Sequence, residues 1–305
     1  MDWNDRRNDP IDQMNKNVSF RIAENGPVRI AIEVTRSGQN STIKQTISLA
    51  AGAAGKRVEV DNVVDWQSKA VSLKAAFPLV ASNPMASYNL GTGVIERPNN
   101  YPKQFEVPSK GWFNLTDKSG SHGVSILEDC KYGSDKPSDN TIRLTLMYTP
   151  GVRNSYKYEG TQDWGIHTFK YGVYSHAGNW QSSETPWQAE FLNKPLVSFE
   201  APKHKGTLGK EFAFLQISSP KVGLMALKKA EESDYMIVRV NELTGKDQSG
   251  VKLTFAAPIA EAYEVNGQEK RIGDVSFSGN ALTTNMGYFG IRSFAVKLAN
   301  SAPSA

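Results

Sequence analysis

The feature that most restricts this chain is a period of two that recurs in short runs and never yields to a helical period. Val28, Ile30, Ile32 and Val34 alternate with Arg29, Ala31 and Glu33 after the tripeptide Asn25-Gly26-Pro27. Successive strand side chains point to opposite faces, so this is the pattern of a strand with one buried face. Gly tolerates positive φ, and Pro fixes its own φ while lacking a donor, so the tripeptide reads as a turn. The alternation returns at 43–49, 58–61, 142–146 and 169–173. Residues 71–80 are almost continuously apolar, broken by Lys74 and Pro78, which reads as a buried strand ending at an edge or bulge. No window of about 12 or more residues holds a 3.6-residue period. The expectation is an all-β chain, with a sandwich as its architecture.

At 305 residues there is room for two domains of the usual size, roughly 100 to 200 residues each. Residues 193–206, where N-K-P-L leads through a strand into A-P-K-H-K-G, mark the boundary, giving a larger β domain over 1–200 and a smaller β-sandwich over 201–305. The second domain has strand patterns at 222–227, 236–240, 251–255 and 291–298, with a hairpin signal at Asn266-Gly267. Residues up to Asn17 read as coil and 301–305 as a frayed end. Internal repeats and low-complexity segments are absent from the sequence, which removes solenoids, propellers and coiled coils.

Charge narrows the partners. Lys and Arg total 35 against 31 Asp and Glu, interleaved without a basic stripe, so nucleic acid is not expected. The longest apolar runs, such as 75–81, fall far short of the roughly 18 residues of a membrane span. Cys130 is the sole cysteine, which precludes an intramolecular disulfide and leaves the compartment open.

Self-sufficient catalytic motifs do not occur: there is no G-x-S-x-G, Walker loop or H-E-x-x-H. His167 and His176 are nine residues apart, so on one regular strand they face opposite sides and share no metal. Cys130, between Asp129 and Lys131, could be an activated thiol but reads better as a buried, inert cysteine at a strand end. Glu128 and Asp129, adjacent on a strand, point apart and make a poor acid/base pair. Trp66, Trp112, Trp164, Trp180 and Trp187 offer faces for sugars, yet for any one of them a core or rim role is favoured. Arg97, extended before Pro98, is placed to donate hydrogen bonds outward, with functional and structural roles evenly weighted.

An ordered series of blocks then narrows the reading. V-E-V-D-N-V-V-D-W at 58–66, L-K-A-A-F-P-L at 73–79, G-V-I-E-R-P at 93–98, F-E-V-P at 105–108, W-F-N-L-T-D at 112–117 and E-D-C-K-Y-G at 128–133 are followed by I-R-L-T-L at 142–146, H-T-F-K-Y-G-V-Y-S-H at 167–176 and F-L-N-K-P-L at 191–196. This series closely resembles the carboxy-terminal region of glycoside hydrolase family 38, the α-mannosidases. A-L-K-K-A-E at 226–231 and I-V-R-V-N-E at 237–242 resemble that family's terminal sandwich, so the likeness covers about 25–298. The resemblance implies a galactose-mutarotase-like β supersandwich, truncated at its amino terminus, followed by a smaller β-sandwich. It implies a retaining mechanism whose zinc ligands and Asp nucleophile belong to a preceding α/β barrel, with no counterpart here. It further implies that Met1 is an internal methionine or a truncated start. Two departures stand out: relatives read R-P-T-H where this chain has Arg97-Pro98-Asn99-Asn100, and N-D-C-K-Y-G where it has Glu128.

The resemblance implies a non-catalytic part of an α-mannosidase acting on mannose-containing glycans, packed against the missing catalytic barrel. Arg97, Lys131, Tyr132 and, more weakly, His176 are its candidate pocket-rim residues. A free-standing carbohydrate-binding β module, resting on Trp164, Trp180 and Trp187, is the alternative. A purely structural partner in a split enzyme or a homo-oligomer is the third reading.

Overall fold

The computed structural model describes residues 10–150, 162–206 and 208–299. The readings made for Met1 and for 301–305 lie outside the described residues. The chain divides into two compact units, one ending at Leu196 and the other starting at Val197.

The first unit contains β1 (Lys16–Asn25), β2 (Arg29–Gly38), β3 (Ser41–Ala50), β4 (Val58–Trp66), β5 (Val71–Pro78), β6 (Met85–Asn89), β7 (Val94–Pro98), β8 (Val107–Pro108), β9 (Trp112–Thr116), β10 (His122–Glu128), β11 (Gly133–Ser138), β12 (Thr141–Thr149), β13 (Gly165–Ala177) and one helix, α1 (Thr185–Asn193). Nine strands form one antiparallel sheet in the order β1-β2-β3-β4-β13-β10-β9-β6-β7, and four form a second in the order β5-β12-β11-β8. Ile142, Leu144 and Leu146 of the second sheet pack with Val60, Val64, Phe113, Ile126 and Tyr171 of the first, so the core lies between the layers. The alternation at 142–146 and 169–173 therefore has the expected cause: one side of each strand is buried.

The outer face of the nine-stranded sheet carries α1, which buries Ala189 and Leu192. With nine residues it is too short to show a helical period in the sequence, and its apolar side chains contribute through tertiary contact. Three further expectations are corrected. The segment 194–206 has no strand. Residues 71–78 form an edge strand, only half-buried, because β5 pairs with β12 alone. The face expected to be buried in 28–34 is open: Val28, Ile30 and Ile32 are exposed, while Ala31 on the other face is covered.

The second unit comprises β14 (Leu215–Ile217), β15 (Val222–Lys229), β16 (Met236–Glu242), β17 (Gln248–Phe255), β18 (Ile259–Val265), β19 (Arg271–Asp274), β20 (Ser276–Ser278), β21 (Ala281–Met286) and β22 (Ile291–Leu298). Its sheets, β14-β17-β21-β20 and β15-β16-β22-β18-β19, enclose Val238, Val240, Leu253, Phe255, Leu282 and Phe294. The hairpin signalled by Asn266-Gly267 joins β18 to β19 through a longer loop, closed by the Lys270 carbonyl on the Asn266 amide at 2.9 Å. Its left-handed residue is Glu269, at φ 64°. Among the described residues no helix is long and apolar enough to cross a membrane.

Candidate functional site

The candidate residues lie where the strands of the first unit end, and register decides which way each points. Ala86 opposes Arg97, and Tyr88 opposes Ile95, so Arg97 shares the core-side face with Tyr88. Its guanidinium lies over the Tyr88 ring at 5.1 Å, and Nη1 donates to the Pro108 carbonyl at 2.8 Å. Tyr88 is in turn stacked on Phe113 at 5.9 Å. Partial burial draws the Arg97 pKa below its ordinary value, yet guanidinium remains charged. Arg97 thus ties β7 to β8 with one of its five N–H donors.

Lys131 and Tyr132 sit in the loop between β10 and β11, which is fastened from within. The Asp129 carboxylate accepts from the Cys130 amide at 2.5 Å and the Lys170 amide at 2.9 Å, and the Tyr132 hydroxyl donates to the Asp129 carbonyl at 3.0 Å. The Tyr132 carbonyl accepts from the Ser109 amide at 2.9 Å, so Tyr132 and Arg97 both contact the 108–109 segment. Lys131 turns elsewhere: its Nζ lies 4.6 Å from the Phe169 ring centre and 3.8 Å from Met147 Sδ. An ammonium held by a ring face and a thioether keeps strong donors for a further ligand.

His176 lies on the opposite face of the nine-stranded sheet, apart from the other three. It opposes Gly123, and a Cβ at that glycine would sit 2.7 Å from the imidazole Cε1, so only glycine leaves room for the ring. Its Nε2 is 2.8 Å from Asn114 Nδ2, which also donates to Ser125 Oγ at 2.8 Å; Ser125 Oγ meets Thr185 Oγ1 of α1 at 2.7 Å. Nε2 is therefore the acceptor, and burial lowers the His176 pKa. This hydroxyl, amide and imidazole seam holds α1 against the sheet. His167, by contrast, opposes core residue Val64, so the two histidines do face opposite sides.

Glu128 is the residue whose environment sequence reasoning missed. It opposes Tyr171 on the core side, is fully buried, and has Ser109 Oγ on Oε2 at 3.2 Å, while Oε1 has no partner among the described residues. Desolvation pushes its pKa up to about 8, so at neutral pH it is a protonated, uncharged acid. A neutral carboxyl, like an amide, offers one donor and one acceptor side. Asn99 and Asn100 are also accounted for. Asn99 Oδ1 accepts from the buried Lys136 ammonium at 2.6 Å, and Asn100 Nδ2 donates to Asp135 at 2.7 Å. Asp135 accepts from Arg143 Nε at 2.9 Å and lies 3.3 Å from Lys74 Nζ, which also pairs with Glu106 at 2.5 Å.

Two other readings change. Cys130 is exposed, not buried; desolvation of its thiolate and the neighbouring Asp129 raise its pKa to about 11, which disfavours the thiolate. Trp66, Trp112 and Trp180 are buried, the last two packed 5.0 Å apart, which removes Trp180 from the exposed aromatics. Trp164 packs partly against the core with Lys69 over its ring, and Trp187 pairs with Phe191. Among the described residues no three His, Cys, Asp or Glu side chains gather as a metal site, so the donors present do not fit a zinc ion.

The fold defines a protein of two successive antiparallel β units. Residues 3–152 match the family description "Glycosyl hydrolases family 38 C-terminal domain", and residues 221–294 match "Glycosyl hydrolases family 38 C-terminal beta sandwich domain". α-Mannosidase G of Dictyostelium discoideum is 29% identical over 266 residues, covering 82% of this chain and 23% of that protein. α-Mannosidase 2C1 of Homo sapiens is 28% identical over 231 residues, covering 73% and 21% respectively. A solved family 38 protein from Enterococcus faecalis superimposes with a TM-score of 0.76 at 18% identity, over 92% of this chain and 36% of its own. The chain belongs to glycoside hydrolase family 38, as the family's carboxy-terminal region. It spans about a quarter or less of the length of these curated relatives.

Proposed function

We propose that this chain works as the non-catalytic carboxy-terminal part of a retaining α-mannosidase that removes terminal α-linked mannose from glycans. It packs against the catalytic barrel and lends rim contacts to the sugar pocket. The observation that carries this reading is that both β units match carboxy-terminal domains of one family, in the family's order, and that the relatives are named α-mannosidases. Arg97 and Lys131 suit the rim because each cation is held by an aromatic face and keeps N–H donors for sugar hydroxyls. Tyr132 is exposed beside them. His176 contributes through the seam beneath α1, by keeping the strand it lies on in place. Small displacements of such positioning groups are kinetically expensive.

Zinc and the glycosyl-enzyme intermediate belong, in this proposal, to the catalytic part, and no step of that chemistry is assigned to this chain's residues. The test is an assay of the purified chain with an aryl α-mannoside and added zinc. No turnover is expected. Turnover abolished by substitution of Arg97 or Asp129 alone would place catalysis within this chain and overturn the reading.

A further inference from the structure

The second unit carries an exposed aromatic ring on loops that are locked from beneath. The connections 218–221, 243–247 and 287–290 each cross between its two sheets and meet at one end, where the Leu243 amide donates to the Lys221 carbonyl and the Glu242 amide to the Gly290 carbonyl, both at 2.9 Å. Tyr288, in the last of these loops, is 69% exposed. It meets Phe289 edge-on at 4.7 Å, and both rings lie against Gly245, where a Cβ would come 2.9 Å from Phe289 Cζ and 3.2 Å from Tyr288 Cε2. Gly245 at φ 68° and Phe289 at φ 46° are both left-handed, a strained conformation for Phe. Glu242, 1% exposed, holds the arrangement: its carboxylate accepts from the amides of Thr244, Gly245 and Lys246 in one loop and from that of Phe289 in the other, at 2.6 to 3.3 Å. A buried carboxylate and a strained residue thus fix in place a ring that is itself left open to solvent. Core packing does not account for that, whereas a rigid, pre-organised contact surface does.

We propose that Tyr288 is a stacking shelf for a pyranose ring of a mannose-containing glycan, with Lys246 and Asp247, rooted in the adjoining loop, serving its hydroxyls. The choice of mannose rests on the proposed function, while the shelf rests on the loops themselves. Three features select a sugar. The amides of Thr244, Gly245, Lys246 and Phe289 are bonded to Glu242 and that of Gly290 to the Gly287 carbonyl, so a peptide has no free backbone donors to pair with there. Contact is left to the ring and the side chains, and a tyrosine ring, apolar on its face and polar at its tip, matches a pyranose with its C–H face and its border of hydroxyls. The charges of the chain are interleaved without a basic stripe, which disfavours a nucleic-acid base as the stacked group, and the chain belongs to a glycoside hydrolase family.

The test is calorimetry of the full chain with an α-linked mannose oligosaccharide, comparing wild type with Tyr288→Ala and Tyr288→Trp. Tyr288 is exposed, so both variants should keep the second unit's unfolding transition, followed by circular dichroism. Expected results are wild-type binding in the roughly millimolar range, a Kd weakened about tenfold in Tyr288→Ala, and wild-type or tighter binding in Tyr288→Trp, which keeps a ring. Equal binding by Tyr288→Ala, loss of binding in Tyr288→Trp, or no saturable binding by wild type overturns the shelf and leaves the enzyme reading intact. Binding that disappears when the polypeptide encoded upstream is added overturns it too, because the ring then belongs to the contact between the two. Tyr288-dependent binding of a glucose oligosaccharide in place of the mannose one overturns the mannose assignment and counts against the substrate of the proposed function.

Discussion

Glu128→Gln tests the electrostatics of the strand-end core directly. Burial raises the carboxyl from its ordinary 4.5 to about 8. One pKa unit corresponds to about 1.4 kcal/mol, so ionising Glu128 in the folded protein costs on the order of 5 kcal/mol. The sign follows from proton counting. Between pH 4.5 and 8 the native state holds a proton that the unfolded state has released, so stability falls as pH rises, by up to about 1.4 kcal/mol per pH unit. The contribution is complete below the unfolded pKa and gone above the folded one. Gln keeps the shape and polarity and does not ionise. All six Trp residues precede Leu196, so tryptophan fluorescence during urea unfolding reports the first unit alone. From pH 5 to pH 9 wild type should lose several kcal/mol relative to Glu128→Gln, with the variant the more stable at pH 9. Parallel stability curves across that range would refute the argument that Glu128 is buried as a neutral acid.

Two further outcomes check other parts of the structure. Asp135→Ala removes the carboxylate shared by Arg143, Lys74 and Asn100 while leaving both cations in place; urea unfolding of the first unit should show a loss of about 3 to 5 kcal/mol, and a loss below 1 would mean the network is solvated. In the second unit Glu242 accepts from the amides of Thr244, Gly245, Lys246 and Phe289 and from the Thr244 hydroxyl. Glu242→Gln turns part of that acceptor set into a donor, so the second unit's transition, followed by circular dichroism, should lose about 2 to 3 kcal/mol; an unmoved transition contradicts the assigned bonds.

What was legible in the sequence was whatever depends on neighbours along the chain. A period of two needs only alternate side chains to share a face, so the all-β character and several of the longer strands, such as β3, β4, β12 and β16, could be read directly. The ordered blocks at 58–66, 93–98 and 128–133 identified the family region. Parity likewise separated His167 from His176. The nine-residue α1 left no signal, because its contacts with the sheet, not its own period, hold it there.

Tertiary structure alone decided what covers each face. Alternation put Ile30 and Ile32 on the core side of β2, but the width of the second layer left them open to solvent. Glu128 looked like one more carboxylate at a strand end until the 109–111 segment closed over it and made it a neutral acid. Arg97 and Lys131 read as a shared polar wall, yet each is stacked on its own aromatic ring, and His176 lies through the sheet from both. Periodicity is a local property of the backbone, whereas cover, desolvation and convergence of side chains depend on segments far apart in sequence, so only the folded chain could determine them.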